Sequence, residues 1–398
     1  MIIRTMIILL LSISTVYAKD SISSLDTEIN QAFSAHFKKY KQLEYFSGAE
    51  LSIYLPNQPI KNYYLGQVTQ DKASKKVSSE TLFQIGSITK SFTAALILQL
   101  EKEGKLNLDD TLRIWLPQYP KWSTVTIKTL LNMSSGLPNY SDTPAMNVQV
   151  ANNLSHQWSK EELINYVYPA SSFSPPLKSG YFYTNTGYIL ADLISEKATH
   201  HNFQNELVNR TIQPADLHNT FYPVPTMENT IHDRMAHGYN YNQYDNPVLV
   251  GKDIYDNDLS WAGAAGAIVS NSEDVIKWVK ALFIDNTILD AMQKQKLQSL
   301  ISLQTGKPIK QTNKNDPRGF GLGVVQAFDD HDPLLKQYWF YQGETLGFRA
   351  VYFYNPCNGI MISSIFNSST NSENDHIGEL MKKINKIILK HYSQLICK

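Results

Sequence analysis

The sequence predicts an α+β fold, with an antiparallel sheet built from both chain termini, flanked by helices, and a mostly helical lobe inserted between them. Three observations predict it. Runs rich in β-branched and aromatic residues gather at the two ends, "GAELSIYL" and "IKNYYLGQV" early, then "GFGLGVVQAF", "QYWFYQGE", "FRAVYFYN" and "GIMISSIFN" late. The middle carries mainly helical periodicity, broken by long polar loops. A chain of 398 residues, 42% hydrophobic and 18% charged, suffices for a large core in two lobes. The expected limits are a sheet lobe at about 19–80 and 310–398, a helical lobe at about 87–300, and a cleft between them.

Arg4 precedes an apolar run from Met6 to about Val16, and Val16-Tyr17-Ala18 presents the small residues that a signal peptidase reads. Residues 1–18 are read as a secretory signal, leaving 19–398 as the mature domain, periplasmic or secreted. An uncleaved anchor is the alternative, although the run is short for a bilayer. Leu25, Ile29, Phe33, Phe37 and Tyr40 then mark an amphipathic first helix. In the last helix, Ile377, Leu380, Met381, Ile384, Ile387, Ile388 and Tyr392 form one apolar stripe.

That helix ends near Cys397, and the other cysteine, Cys357, lies in the turn before the last strand pattern. If the helix packs antiparallel on that strand, its end returns to the turn. An exported chain would then join Cys357 to Cys397, the alternative being two unpaired thiols. Lys+Arg and Asp+Glu balance at 36 each, which gives no reason to expect nucleic acid or another polyanion. No glycine-rich phosphate loop occurs and no cofactor or metal is predicted. Asp329-Asp330-His331-Asp332 reads as a solvated loop, and His200, His201 and His237 as structural.

The stretch "FQIGSITKSFTAALILQL" puts Ser87 and Lys90 three apart at a helix start, with Ile88, Phe92, Ala95, Leu96 and Leu100 at helical spacing. Ser87 is either an N-cap, with Lys90 on the surface, or a nucleophile whose neighbouring ammonium shares its helix face. The positive helix end and burial both lower a lysine pKa, so Lys90 suits proton acceptance. Later, "SGYFYTNTGYILADLISEKA" holds Tyr183 and Asn185 just before a helix, a phenol and an amide able to complete a proton relay.

With these residues, the chain resembles the serine β-lactamase and penicillin-binding-protein superfamily, in its class C-like branch. That branch holds class C β-lactamases, D-alanyl-D-alanine carboxypeptidases and β-lactamase-like esterases. "LFQIGSITKSFTAALILQLEKEGKLNLDDTLRIWLP", "TIKTLLNMSSGLPNY", "YFYTNTGYILADLISEKA", "WAGAAGAIVSNSEDVIKWVKAL" and "YQGETLGFRAVYFYNP" follow in the family's order over most of the mature chain.

The resemblance implies a β-lactamase/transpeptidase-like fold, Ser87 as acylated nucleophile, Lys90 as its proton acceptor and Tyr183 as the shuttle to the leaving group. Asn185 would hold Lys90 and the substrate amide, and the backbone N–H groups of Ser87 and Glu344 would form the oxyanion hole, with Gly343 leaving room for substrate. Tyr341 departs from the family's lysine or histidine and carries no charge at neutral pH. Arg349 is the candidate replacement for binding a substrate carboxylate, or else a surface charge at a sheet edge. The expected function is an exported serine hydrolase, first a D-alanyl-D-alanine carboxypeptidase, then a carboxylesterase, then a β-lactamase. A catalytically silent cell-wall-peptide-binding protein is the alternative of another class. The expected partner is a small molecule or peptide, with no nucleic acid and no stable membrane anchor after signal cleavage.

Overall fold

The computed structural model describes residues 24–169, 177–244, 246–332 and 334–397, so the signal expected at 1–18 lies outside the described residues. Helix α1 covers 24–40. The sheet strands in chain order are β1 (Gly48–Tyr54), β2 (Lys61–Gly66), β3 (Leu300–Ser302), β4 (Pro308–Ile309), β5 (Arg318–Phe320), β6 (Val325–Asp329), β7 (Lys336–Thr345), β8 (Phe348–Tyr354) and β9 (Met361–Phe366). These nine strands lie side by side in the order β2-β1-β9-β8-β7-β6-β5-β3-β4, and every neighbouring pair is antiparallel. The two ends of the chain meet where β1 pairs with β9, Leu51 opposite Ser364. Strands β3 and β4 lie before the expected limit at 310, because two short pairings extend the sheet there.

Alternation along the central strands builds two cores. Ala49, Leu51 and Ile53 of β1, with Val351, Phe353, Ile362 and Phe366, face α1 and the last helix, α5 (Ile377–His391). Leu25, Ile29 and Phe33 of α1 and Leu380, Ile384 and Ile388 of α5 supply the covering face, as their spacing predicts. On the other side, Phe348, Ala350, Tyr352, Met361 and Ile365 join a larger core shared with the helical residues.

The part of the chain between the sheet-forming ends includes α2 (Thr89–Lys102), α3 (Thr186–Thr199) and α4 (Ser272–Phe283). Although the sequence assigns α4 to the helical lobe, it lies on the sheet. Ser52 Oγ is 2.7 Å from Ser272 Oγ, and the Ser272 N–H donates to Glu50 Oε2 at 2.8 Å. Glu50 is fully buried, and that burial pushes its carboxyl up to about 8.

Helix α2 differs from its predicted single stripe, since every residue from Thr89 to Leu98 is buried. Its polar positions are satisfied individually. Thr93 Oγ1 donates to the Ala264 carbonyl at 2.7 Å, and Trp278 Nε1 donates to Ser91 Oγ at 2.8 Å. A helix buried on all sides is positioned by its surroundings, which suits a helix that carries a site at its start.

Cys357 and Cys397 are joined, with Cα atoms 6.0 Å apart, where the end of the chain docks on the turn before β9. Asn358 Nδ2 donates to the Leu395 carbonyl at 2.9 Å beside the bridge.

Candidate active site

Ser87 sits in a 3₁₀ turn, Gly86–Ile88, that precedes α2. The N-cap alternative does not hold, because the cap position of α2 is Ile88 and no side chain bonds there. The Ser87 hydroxyl instead meets Tyr183 Oη at 2.5 Å and accepts from Lys90 Nζ at 3.0 Å. The turn is held from below by the short pairing of Phe83–Gln84 with Val269–Ser270 and by the Ile85 N–H, which donates to the Ile268 carbonyl at 3.0 Å.

Lys90 is fully buried. Its ammonium nitrogen also donates to the Ala265 carbonyl at 2.8 Å and lies 4.8 Å and 5.5 Å from the Tyr183 and Tyr188 ring centres. Burial holds its pKa below the ordinary lysine value, and the nearby Tyr183 phenol opposes that only in part. The carbonyl comes from the segment Gly263–Gly266, whose small residues let its backbone lie against α2. Sequence reasoning missed Ala265, since a backbone acceptor leaves no side-chain signature.

Tyr183 and Asn185 are strapped to the loop that ends "NMSSGLPNY". The Phe182 N–H donates to the Met133 carbonyl at 2.8 Å, Thr186 Oγ1 donates to the Pro138 carbonyl at 2.7 Å, and the Asn185 N–H donates to Asn139 Oδ1 at 2.9 Å. Gly136 in that loop has φ +69°, and a Cβ there would lie 2.0 Å from the Lys178 carbonyl oxygen, so only glycine closes it. The structure differs from expectation at Asn185. Its Nδ2 donates to Ser141 Oγ at 2.9 Å, while Lys90 finds the Ala265 carbonyl as its second acceptor.

Strand β7 passes directly beside the serine turn. A Cβ on Gly343 would stand 1.9 Å from the Ile85 oxygen and 2.9 Å from the Ser87 nitrogen. Gly86, at φ +51°, likewise has room for no Cβ, which would meet the Glu344 nitrogen at 2.7 Å. Strand β6 pairs with β7 only as far as Phe340 opposite Val325, so among the described residues no strand covers this edge from Tyr341 onward.

A cavity of about 620 Å³ opens here, lined by Ser87, Tyr183, Asn185, Tyr341, Gln342 and Glu344 together with Asn139, Ser141, Asn240, Trp261 and Arg318. Tyr341 is buried with its ring 5.9 Å from that of Phe320, and its hydroxyl makes no hydrogen bond among the described residues. Burial first, and Tyr183 second, raise its pKa well above the usual phenol value. Glu344 Oε1 accepts from Asn242 Nδ2 at 3.2 Å. The lining asparagines come from polar loops with no periodicity, so nothing in the sequence singles them out.

Arg349 requires a correction. It is neither a carboxylate reader in the cavity nor a surface charge. It is completely buried, opposite Glu344 in the β7–β8 pairing and outside the cavity lining. Its guanidinium meets Glu44 and Asp375 at 2.7 Å each and the Ser368 carbonyl at 2.9 Å. Asp375 in turn accepts from Gln342 Nε2 at 2.5 Å, which ties the cluster to β7. Two carboxylates and a carbonyl occupy its donors, leaving the charge committed within the fold.

A nine-stranded antiparallel sheet flanked by helices, with Ser87, Lys90 and Tyr183 gathered beside β7, is the fold of the β-lactamase/transpeptidase-like superfamily. The chain belongs to the Beta-lactamase family, whose description matches residues 33–385. It is 27% identical to penicillin-binding protein 4* of Bacillus subtilis over 59% of this chain and 52% of that protein. It is 25% identical to protein flp of Staphylococcus aureus over 88% of this chain and 64% of that one. The chain thus spans about half to two thirds of these relatives' length. Among solved structures, D-amino acid amidase from Ochrobactrum anthropi SV3, complexed with D-phenylalanine, superposes with a TM-score of 0.73 at 23% identity, covering 92% of this chain and 99% of that one. A β-lactamase/D-alanine carboxypeptidase from Pseudomonas syringae gives 0.70 at 18% identity, covering 91% and 99%. These likenesses establish the fold.

Proposed function

We propose that this protein is an exported serine hydrolase that forms an acyl-enzyme on Ser87 and cleaves small peptide-type amides. The observation that carries the reading is the buried Lys90, which donates to the Ser87 hydroxyl and the Ala265 carbonyl beside the Tyr183 phenol. A lysine so placed is poised to be neutral and to take a proton.

Ser87 Oγ attacks the substrate carbonyl carbon as its proton passes to Lys90 Nζ. The oxyanion rests on the Ser87 and Glu344 N–H groups. Thr345 and Phe348 flank the two-residue turn that joins β7 to β8, so by alternation Glu344, one pair further, turns its N–H away from β8. The bond to the leaving group then breaks while the proton moves through Tyr183 Oη to the departing nitrogen. A water attacks the acyl carbon, returns a proton to Ser87 and releases the acid.

The D-amino acid amidase and D-alanine carboxypeptidase folds favour D-residue substrates, and a D-alanyl-type peptidase remains the first reading. With Arg349 buried, Arg318 is the arginine among the described lining residues that could meet a leaving-group carboxylate. The neutral Tyr341 favours an ester as the second reading. Export is supported by the signal pattern at 1–18 and by the disulfide.

The test is covalent labelling of Ser87 by a fluorescent penicillin or fluorophosphonate, then hydrolysis of acyl-D-Ala-D-Ala, nitrocefin and a p-nitrophenyl ester. Labelling with turnover of the peptide supports the reading. No labelling by any acylating reagent removes it and leaves the silent binding protein.

A further inference from the structure

A second cavity, of about 450 Å³, shares none of its lining residues with the cavity at Ser87. Its walls include Trp158, Phe203, Tyr222, Lys160, Asp192 and Glu196. Two segments nevertheless reach both cavities. Trp261 lines the one with Ser87, whereas Ser260 and Gly263 line the second. Asn185, just before α3, lines the first, and Ile189, Asp192 and Glu196 of α3 line the second.

The charges in the second cavity are out of balance. Lys160 Nζ bonds to Asp192 and, at 2.7 Å, to Glu196, so one ammonium faces two carboxylates. Glu161 adds a third acid to the lining. Asp192 is 1% exposed, and burial pushes its carboxyl up to about 7 against the pull of Lys160. One cation leaves this acidic wall short of positive charge.

Tyr222 is a second, independent sign of a ligand. It is 4% exposed and lines the cavity, yet its hydroxyl makes no hydrogen bond among the described residues. A buried hydroxyl normally has a partner. Its oxygen stands over the cavity wall, 3.9 Å from where a Cβ on Gly263 would lie, and its ring meets Phe203 edge-on at 5.3 Å. Aromatic walls, a free hydroxyl and surplus negative charge together suit a cation with an apolar body.

Occupancy of this cavity can be felt at Lys90. Gly263 begins the segment Gly263–Gly266, whose Ala265 carbonyl accepts from Lys90 Nζ at 2.8 Å. Gly263 has φ +44°, and a Cβ there would lie 2.9 Å from Ile189 Cδ1, so the segment already packs tightly on α3. A ligand filling the cavity would hold that segment in place, and with it the acceptor that orients Lys90.

We propose that the second cavity binds a small organic cation, a protonated amine with an aromatic body, and that its occupancy speeds acylation of Ser87. The ammonium lies by Glu196 and the Tyr222 hydroxyl, and the ring packs on Trp158 and Phe203. The binding site stands by itself, while its effect on rate rests on the reading of Lys90 as proton acceptor.

The experiment titrates phenethylamine into the full mature protein by calorimetry, beside its neutral analogue phenethyl alcohol. The alcohol should bind about tenfold more weakly, the scale of one hydrogen bond to a charged group. Glu196→Gln keeps an acceptor for the Phe203 N–H, now bonded at 3.0 Å, and Tyr222→Phe removes only an unpartnered hydroxyl. Both variants should keep the basal labelling rate and bind the amine more weakly. Saturating amine should speed fluorophosphonate labelling of Ser87 about fivefold, the low end of coupling between linked sites. The same concentration should have a smaller effect on Glu196→Gln. No binding, equal binding of the alcohol, unchanged affinity in both variants, or a labelling rate indifferent to amine overturns the proposal. If no reagent labels Ser87, the hydrolase reading fails and takes the rate effect with it, whereas the calorimetry still accepts or rejects the site.

Discussion

Lys90 shows how a residue's surroundings set its chemistry. Burial lowers its pKa, and no carboxylate among its hydrogen-bond partners restores it. An acidic limb below the ordinary lysine range is therefore expected in the pH–rate profile, with acylation falling as pH drops and Lys90 gains its proton. Lys90→Ala should remove that limb and slow acylation by about 10²–10⁴-fold, the usual contribution of general base catalysis, measured as the rate of fluorophosphonate labelling. Ser87→Ala should abolish labelling with the fold intact. The pair was legible in the sequence because three-residue spacing puts both side chains on one helical face. Arg349 was not, since an arginine at the start of a strand looks alike whether it points to solvent or to Glu44 and Asp375, neither of which is a neighbour in the chain. Arg349→Met leaves those carboxylates buried without their cation, and a loss of about 3–5 kcal/mol is expected in urea unfolding.

At the scale of elements, the apposition of β7 and the serine turn depends on the absence of side chains at Gly343 and Gly86. Gly343→Ala places a methyl carbon 1.9 Å from the Ile85 oxygen, so strand and turn must separate. Acylation should then fall by orders of magnitude, while circular dichroism still reports the sheet. The strands at both ends, α1 and α5 were legible because their apolar residues follow periods of two and 3.6. The packing of helix α4 on the sheet was not legible, since its periodicity says that one face is buried but not against what. The contact is set by Glu50 and Ser52, polar residues on a sheet face, which no hydrophobic pattern reports. The all-round burial of α2 was missed for a related reason: Thr93 donates to the Ala264 carbonyl and Thr89 accepts from the Ile268 N–H, both remote in sequence.

For the whole molecule, stability depends on pH through Glu50. Its folded pKa, about 8, exceeds the ordinary value of 4.5, so between those limits the folded state holds a proton that the unfolded chain has released. Its contribution therefore weakens as pH rises through that window and levels off above about 8. Glu50→Gln, which keeps an acceptor for Ser272, should gain on the unsubstituted protein progressively from pH 5 to 8 in urea titrations. A constant difference across that range would falsify the assignment. Opening the Cys357–Cys397 bridge, which spans 40 residues, should cost about 4 kcal/mol by loss of the loop constraint.

The pairing of β1 with β9 also sets an order of assembly. Glu50 must wait for Ile365, its partner in register, more than three hundred positions later, whereas α2, α3 and their neighbours find contacts within the intervening chain. Long loops close slowly, so the helical half should condense first and the sheet zip up last. Because the cavity needs β7 against the Ser87 turn, it is completed only in that final step. During refolding, helical circular dichroism should return before covalent labelling of Ser87 does, and the lag between them measures how long the molecule exists as a folded half without a working centre.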